Sequence, residues 1–215
     1  MNYIFGSFQY LLVVMLTTLI LFPTTTPAME IMGVAKFVVD SGGESMDKVP
    51  SLSPTTTRKV RANDVYGAVV GLTFINDARN FSMDATLGAK SSWPHVGRGS
   101  LLDYSLSRGE LEVLAFYVFP AADTGKARIR FGIGPTLHIN PSFKESGTLN
   151  DGTVIKNTTE FDSAIGLTLQ LDSTIPFSSK RPAGITFGIR YSSANYNADN
   201  LQSIRASGLG IFVGG

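Results

Sequence analysis

The sequence predicts an all-β chain: eight antiparallel strands closed as an up-and-down transmembrane barrel, preceded by a signal peptide. Three observations carry that expectation. Eight stretches alternate apolar and polar residues with a period of two. The connections between them alternate long and short. Beyond the N-terminus no apolar run approaches the ~20 residues of a membrane helix, although the mean hydropathy is +0.13 and 43% of residues are hydrophobic.

The N-terminal segment comes first. Leu11–Phe22 is a twelve-residue apolar run, followed by Pro23, a Thr cluster and the small-residue site Thr26-Pro27-Ala28. Cleavage is expected after Ala28, making residues 1–28 a signal peptide and 29–215 the barrel domain. The leading MNYIFGSFQY carries no Lys or Arg, and the competing expectation is an uncleaved anchor spanning Tyr3 to Phe22.

The strands follow in order. The first, Gly33–Asp40, sets Ala35, Phe37 and Val39 against Lys36, Val38 and Asp40. The second sets Tyr66, Ala68, Val70, Leu72 and Phe74 against Gly67, Val69, Gly71 and Thr73, and the third sets Phe81, Met83, Ala85, Leu87 and Ala89 against Ser82, Asp84, Thr86, Gly88 and Lys90. The fourth runs Glu110–Phe119. The fifth, Ala127–Ile139, is the most regular: Ile129, Phe131, Ile133, Leu137 and Ile139 share a face, opposite Arg128, Arg130, Gly132, Gly134, Thr136 and His138. A helix would not sort residues this way. The sixth places Phe161, Ile165, Leu167, Leu169 and Leu171 opposite Asp162, Gly166, Thr168, Gln170 and Asp172. The seventh is Gly184–Tyr191, and the eighth, Ile204–Gly215, opposes Leu209, Ile211 and Val213 to Gly208, Gly210 and Phe212.

Long connections are expected at Ser41–Asn63, Ser92–Arg108, Asn140–Glu160 and Ser193–Ser203, and short ones at Asn76–Asn80, Pro120–Gly125 and Ser173–Pro182. All long connections then fall at one end, which for an outer-membrane barrel is the extracellular one.

Alternation alone does not separate this barrel from a soluble lipocalin-type one, which reverses the faces. The glycines do. Gly67, Gly71, Gly88, Gly132, Gly134, Gly166, Gly184 and Gly188 crowd the polar face, as a cramped lumen requires, leaving bulky apolar residues to lipid. The lumen would hold Lys36, Lys90, Arg128, Arg130 and Arg190 with Asp40, Asp84, Glu110, Glu112, Asp162 and Asp172, five positive charges against six negative. Near-balance in so narrow a space predicts an ion-paired filling in place of an aqueous pore. Tyr66, Phe74, Phe81, Tyr117, Phe119 and Tyr191 sit where aromatic girdles belong.

GELEVLAFYVFP, ARIRFGIGPTLHINPSFK, EFDSAIGLTLQLD, GITFGIRYSSANY and the terminal SGLGIFVGG together resemble the small outer-membrane barrels of OmpA, OmpX and OmpW type, over most of residues 30–215. The resemblance implies outer-membrane lipids as surroundings and assembly by the barrel-insertion machinery. It departs at the C-terminus: such proteins usually end in an aromatic residue, and this chain ends Phe212-Val213-Gly214-Gly215.

Chemistry-bearing residues are few. There is no Cys, hence no disulfide, thiolate metal site or cysteine nucleophile. The net charge of +1 gives no basic stripe for nucleic acid. The two histidines, His95 and His138, lack metal-binding spacing, and neither a metal nor a cofactor is expected. Some barrels of this plan, the lipid A deacylases, use a His/Ser pair on the barrel surface; here His138 falls on the lumen face, near Asn140 and Ser142, and no catalytic residue is assigned. Trp93-Pro94-His95 and Pro141 fall in long connections, where such residues stiffen binding surfaces or simply pack the loop. The expected role is structural or surface-interactive: a non-porous barrel displaying loops to a ligand or host surface. The alternatives are a narrow or lateral conduit for small or hydrophobic molecules and, third, an acyl-hydrolase-type envelope enzyme.

Overall fold

A computed structural model describes residues 30–46, 49, 61–76, 80–92, 95–96, 102–120, 127–148, 152–178, 181–199 and 201–215. The expected signal peptide, Trp93-Pro94 and the side chain of His95 lie outside the described residues.

The strands are β1 (Glu30–Gly42), β2 (Val65–Asn76), β3 (Phe81–Ser91), β4 (His95–Val96), β5 (Leu102–Val118), β6 (Arg128–Thr148), β7 (Val154–Glu160), β8 (Ala164–Ser178), β9 (Arg181–Tyr196) and β10 (Ile204–Gly214). Eight of them close a barrel. β1 pairs antiparallel with both β2 and β10, and β2–β3, β3–β5, β5–β6, β6–β8, β8–β9 and β9–β10 complete the ring. The two short strands stand outside the ring: β4 pairs with the start of β5, and β7 folds back on the end of β6. Closure leaves the eight ring strands without a free edge, so backbone donors and acceptors at membrane depth are paired within the sheet.

Along the lower part of each strand, toward the short turns, the faces sort as the alternation predicts. Phe37, Leu72, Leu87, Phe131, Leu167, Phe187 and Ile211 point outward and are exposed. Lys36, Thr73, Thr86, Arg130, Thr168, Thr186 and Arg190 point inward and are buried. An apolar belt around the whole circumference belongs in lipid, because exposed apolar patches of that extent are not found on soluble monomers.

The upper part of the barrel, toward the long connections, reverses the faces. On β5, Tyr104 and Leu106 point inward and are buried, while Asp103, Ser105 and Ser107 point outward; from Arg108 onward the polar residues are inside. On β9, Ala194 and Tyr196 are inside and Asn195 outside, and on β10 Ile204 and Ala206 are inside and Arg205 outside. These inward residues join Met46, Val49, Ala62, Val65, Phe143, Ile155, Phe161 and Ala164 in one apolar core that plugs the barrel's upper end. The lipocalin-type pattern weighed against the membrane barrel thus describes the upper storey of the same cylinder.

This reversal corrects several boundaries. The expected long connection Asn140–Glu160 is mostly a hairpin, β6 running on to Thr148 and β7 returning. The expected Ser92–Arg108 connection contains β4 and the first seven residues of β5, Leu102–Arg108, and β9 continues to Tyr196. The physical cause on β6 is a bulge. The β5–β6 register slips between Ser107 and Gly109, where Ser107 pairs with Ser142 but Gly109 pairs with Ile139. Asn140, at φ 44, absorbs the extra residue in the left-handed region that Asn tolerates. One inserted residue exchanges inside for outside, so Pro141, Phe143 and Glu145 are buried where Asn140 and Ser142 would have been. Ser163 locks the bulge, its Oγ accepting from the Asn140 N–H at 3.1 Å and donating to Asn140 Oδ1 at 3.2 Å.

The described residues of the first long connection also fold inward. Asp64 accepts from Ser41 Oγ and from the Gly42 and Arg61 N–H groups, a Ser45–Arg61 bridge narrows the loop, and Met46 and Val49 enter the plug.

Candidate functional site: the barrel lumen

Below the apolar plug the lumen is filled by two layers of charge. In the upper layer Glu110, on β5, is the hub. Its carboxylate accepts from Lys90 Nζ at 2.6 Å, Arg108 Nη2 at 3.1 Å and Arg190 Nη2 at 3.1 Å. Lys90 also reaches Asp40 at 2.7 Å, and Arg190 reaches Glu112 at 2.7 Å. Arg108 Nη1 donates to Asn63 Oδ1 at 2.9 Å and to the Tyr196 hydroxyl at 2.8 Å. The same hydroxyl lies 2.9 Å from His138 Nδ1, and His138 Nε2 lies 3.8 Å from Glu110. Ionic layer and apolar plug therefore meet at Tyr196, whose ring is in the plug and whose hydroxyl is in the network.

The lower layer is a second, separate set. Arg130 holds Asp172 with two donors, Nε at 2.8 Å and Nη2 at 3.0 Å, and reaches Asp84 at 3.2 Å. Lys36 closes on Asp84 at 2.7 Å, Thr73 donates to Asp84 at 2.9 Å, and Gln170 donates to Asp172 at 2.7 Å. The Arg130 guanidinium lies 4.2 Å from the Phe116 ring centre, and Lys36 lies 5.3 Å from that of Phe212. Glycine makes the room for these groups. A Cβ at Gly132 would run into the Phe116 ring, and one at Gly210 would meet the Asp40 carboxylate.

Of the residues expected in the lumen, Lys36, Asp40, Asp84, Lys90, Glu110, Glu112, Arg130, Asp172 and Arg190 are buried there together. Two expectations change. Asp162 is exposed and outside any strand, because β7 and β8 are separated at residues 161–163; Phe161, expected to face lipid, turns into the plug instead. Arg128 faces inward but sits half-buried at the short-turn mouth, away from both charge layers. The residue that sequence reasoning missed is Arg108, assigned to a loop. Its signal was legible: it shares parity with Glu110 and Glu112. The buried ion pairs thus set Lys36, Lys90, Arg108, Arg130 and Arg190 against Asp40, Asp84, Glu110, Glu112 and Asp172, five against five.

The His138 and Ser142 juxtaposition does not form. His138 is fully buried in the lumen, whereas Ser142, beyond the bulge, pairs with Ser107 on the outer face. Phe212 also faces inward, packed with Val38 and Val69. Among the described residues no group of acidic and His side chains is arranged to hold a metal ion.

No protein-family model matches the chain, and no curated protein sequence does. Among solved structures it is similar to Neisserial surface protein A, with 11% identity, a TM-score of 0.45, and 87% of this chain and 98% of that one covered. It is also similar to Ail, the attachment invasion locus protein of Yersinia pestis, in complex with the heparin analogue sucrose octasulfate: 11% identity, TM-score 0.41, 88% and 98% covered. Likeness at that level carries no functional argument, and the fold rests on the chain's own strand pairing. The chain is a closed eight-stranded antiparallel up-and-down ring, apolar without and polar within along its lower part.

Proposed function

We propose that this protein is a non-conducting barrel of the bacterial outer membrane with a structural and surface-interaction role, its long-connection end facing outward. The observation that supports this reading is the double closure of the lumen. Two ion-paired layers fill its waist, and an apolar core fills its outer end. A permeating ion would have to break buried ion pairs, then cross a dry plug, and each step is costly.

The groups available to a partner are therefore on the outside of the upper storey. The β6–β7 hairpin carries Lys144, Lys156 and Glu160 exposed, and β5 adds Asp103. An extracellular ligand or host surface would meet this polar sheet, while outer-membrane lipids surround the lower belt and the barrel-insertion machinery delivers the chain. Planar-bilayer recording of the purified, refolded protein tests the reading. A flat baseline is expected at moderate voltage; discrete, reproducible openings would overturn it in favour of a narrow conduit.

A further inference from the structure

We propose that the outer edge of β7 pairs with the β7 edge of a second copy of this chain on a facing membrane, so that the protein joins like surfaces. β7 continues upward the place that β8 holds in the ring: both pair with β6, β8 along Arg128–His138 and β7 along Ser142–Thr148. β8 has β9 on its other side, whereas among the described residues β7 has no strand there. Two bonds at the lower end of β7 give the direction of its backbone groups. The Phe161 N–H donates to Pro141 O, toward β6, and the Asp162 N–H donates to Asn197 O, away from it. By the two-residue period of an antiparallel ladder, Lys156, Thr158 and Glu160 aim their N–H and C=O groups away from β6, above the point where Asn197 closes the edge. An edge of this kind is a template for another strand.

The charge pattern selects the occupant. Lys156, Thr158 and Glu160 are exposed and share the outer face of the hairpin. A two-fold axis through Thr158 sets Lys156 of each copy opposite Glu160 of the other, and Thr158 opposite Thr158. Each of these pairs joins residues whose backbone groups face the contact, so the edge is complementary to itself in hydrogen bonding and in charge. A two-fold axis through Lys156 or Glu160 would instead set like charges opposite. The contact is antiparallel, and β7 runs from the hairpin tip toward the apolar belt. Copies side by side in one membrane run the same way and cannot make it; copies whose upper storeys face each other can. One such contact is weak, as exposed ion pairs are, and many copies between two surfaces act by avidity. The proposal rests on the outward-facing upper storey of the preceding reading but not on the closed lumen, and clustering and conductance are read separately.

The test uses the full barrel reconstituted into phospholipid vesicles, with clustering followed by light scattering. Wild-type vesicles are expected to cluster at low salt and to disperse as salt is raised. Lys156→Glu leaves two acidic residues on the edge and Glu160→Lys leaves two basic ones, so vesicles of either variant alone should lose clustering. Mixed together, the two should cluster again as wild type does, because each acidic position then meets a basic one. Thr158→Pro removes an N–H that points away from β6, and should abolish clustering while heat-modifiable gel mobility persists. If that variant does not fold, the charge-exchanged pair decides. Dispersed wild-type vesicles, clustering by either charge variant alone, no recovery on mixing, or clustering by a folded Thr158→Pro would overturn the proposal.

Discussion

The two storeys of the lumen are closed by opposite chemistry. At the waist Glu110 draws Lys90, Arg108 and Arg190 into a buried ionic cluster, and the outside is aliphatic. One or two pleats higher on the same strands Tyr104, Phe143, Tyr196 and Ile204 pack as a dry core, and the outside is Ser, Asn, Lys and Arg. The lesson is that the surrounding solvent sets the pattern. In lipid the outer face must be apolar, and alternation then keeps the strand from becoming one continuous apolar run. Above the lipid the strand obeys the ordinary rule for water-soluble sheets, and the interior takes the apolar residues. The level at which the faces exchange, near Arg108, Asn140, Ser193 and Ser207, marks the upper edge of the apolar belt on the protein itself.

The strongest way to break this comparison is at the hub. Glu110→Leu leaves three cations facing a reduced set of carboxylates in a buried space, and should lower barrel stability by about 3–5 kcal/mol, the cost of stranding buried charge. The measurement is denaturant unfolding in lipid vesicles, read by heat-modifiable mobility. Phe143→Ala in the plug should instead act locally, exposing the Leu102–Ser107 and Ser142–Thr148 segments to hydrogen exchange while the waist stays protected. Equal global loss in both variants would mean that the storeys do not differ.

A smaller and sharper effect is expected on one face of one strand. Ile189 and Asn195 both point outward on β9, below and above the exchange level. Ile189→Arg should cost about 2–4 kcal/mol, as a charge set into lipid near mid-membrane does. Asn195→Arg should stay within about 0.5 kcal/mol, as a surface change in water. Similar costs at both positions would place the boundary elsewhere. The smallest effect belongs to the bulge: Asn140→Val forces a β-branched residue into the left-handed region and should cost about 1–2 kcal/mol, whereas Asn140→Gly should be nearly neutral in the same unfolding assay.

The strand pairing at membrane depth was legible because period-two alternation is local and each strand repeats it. Ala127–Ile139 shows this best: its sorted faces end at Ile139, one residue short of the bulge. Past that point the alternation continues with its faces exchanged, and a reading that follows one parity takes Ser142–Thr148 and Leu102–Ser107 for loop. The same exchange hid Arg108 from the lumen set and placed Asp162 inside it. Tyr104 and Leu106 carried a signal too, as apolar residues on the opposite parity to the Leu111–Tyr117 run; Phe143 keeps the parity of Ile139, and only the bulge at Asn140 turns it inward.

What the sequence by itself determined is the number of ring strands, their order and the polar character of the membrane-level lumen, all of which follow from residue period and connection length. What the tertiary structure alone decided is who meets whom inside: the shear between strands brings Glu110 to Lys90, Arg108 and Arg190, and sets Arg130 between Asp84 and Asp172. It also decided where the faces exchange. Pairing across a closed ring depends on register, and a single left-handed Asn140 shifts that register by one residue, which no local periodicity records.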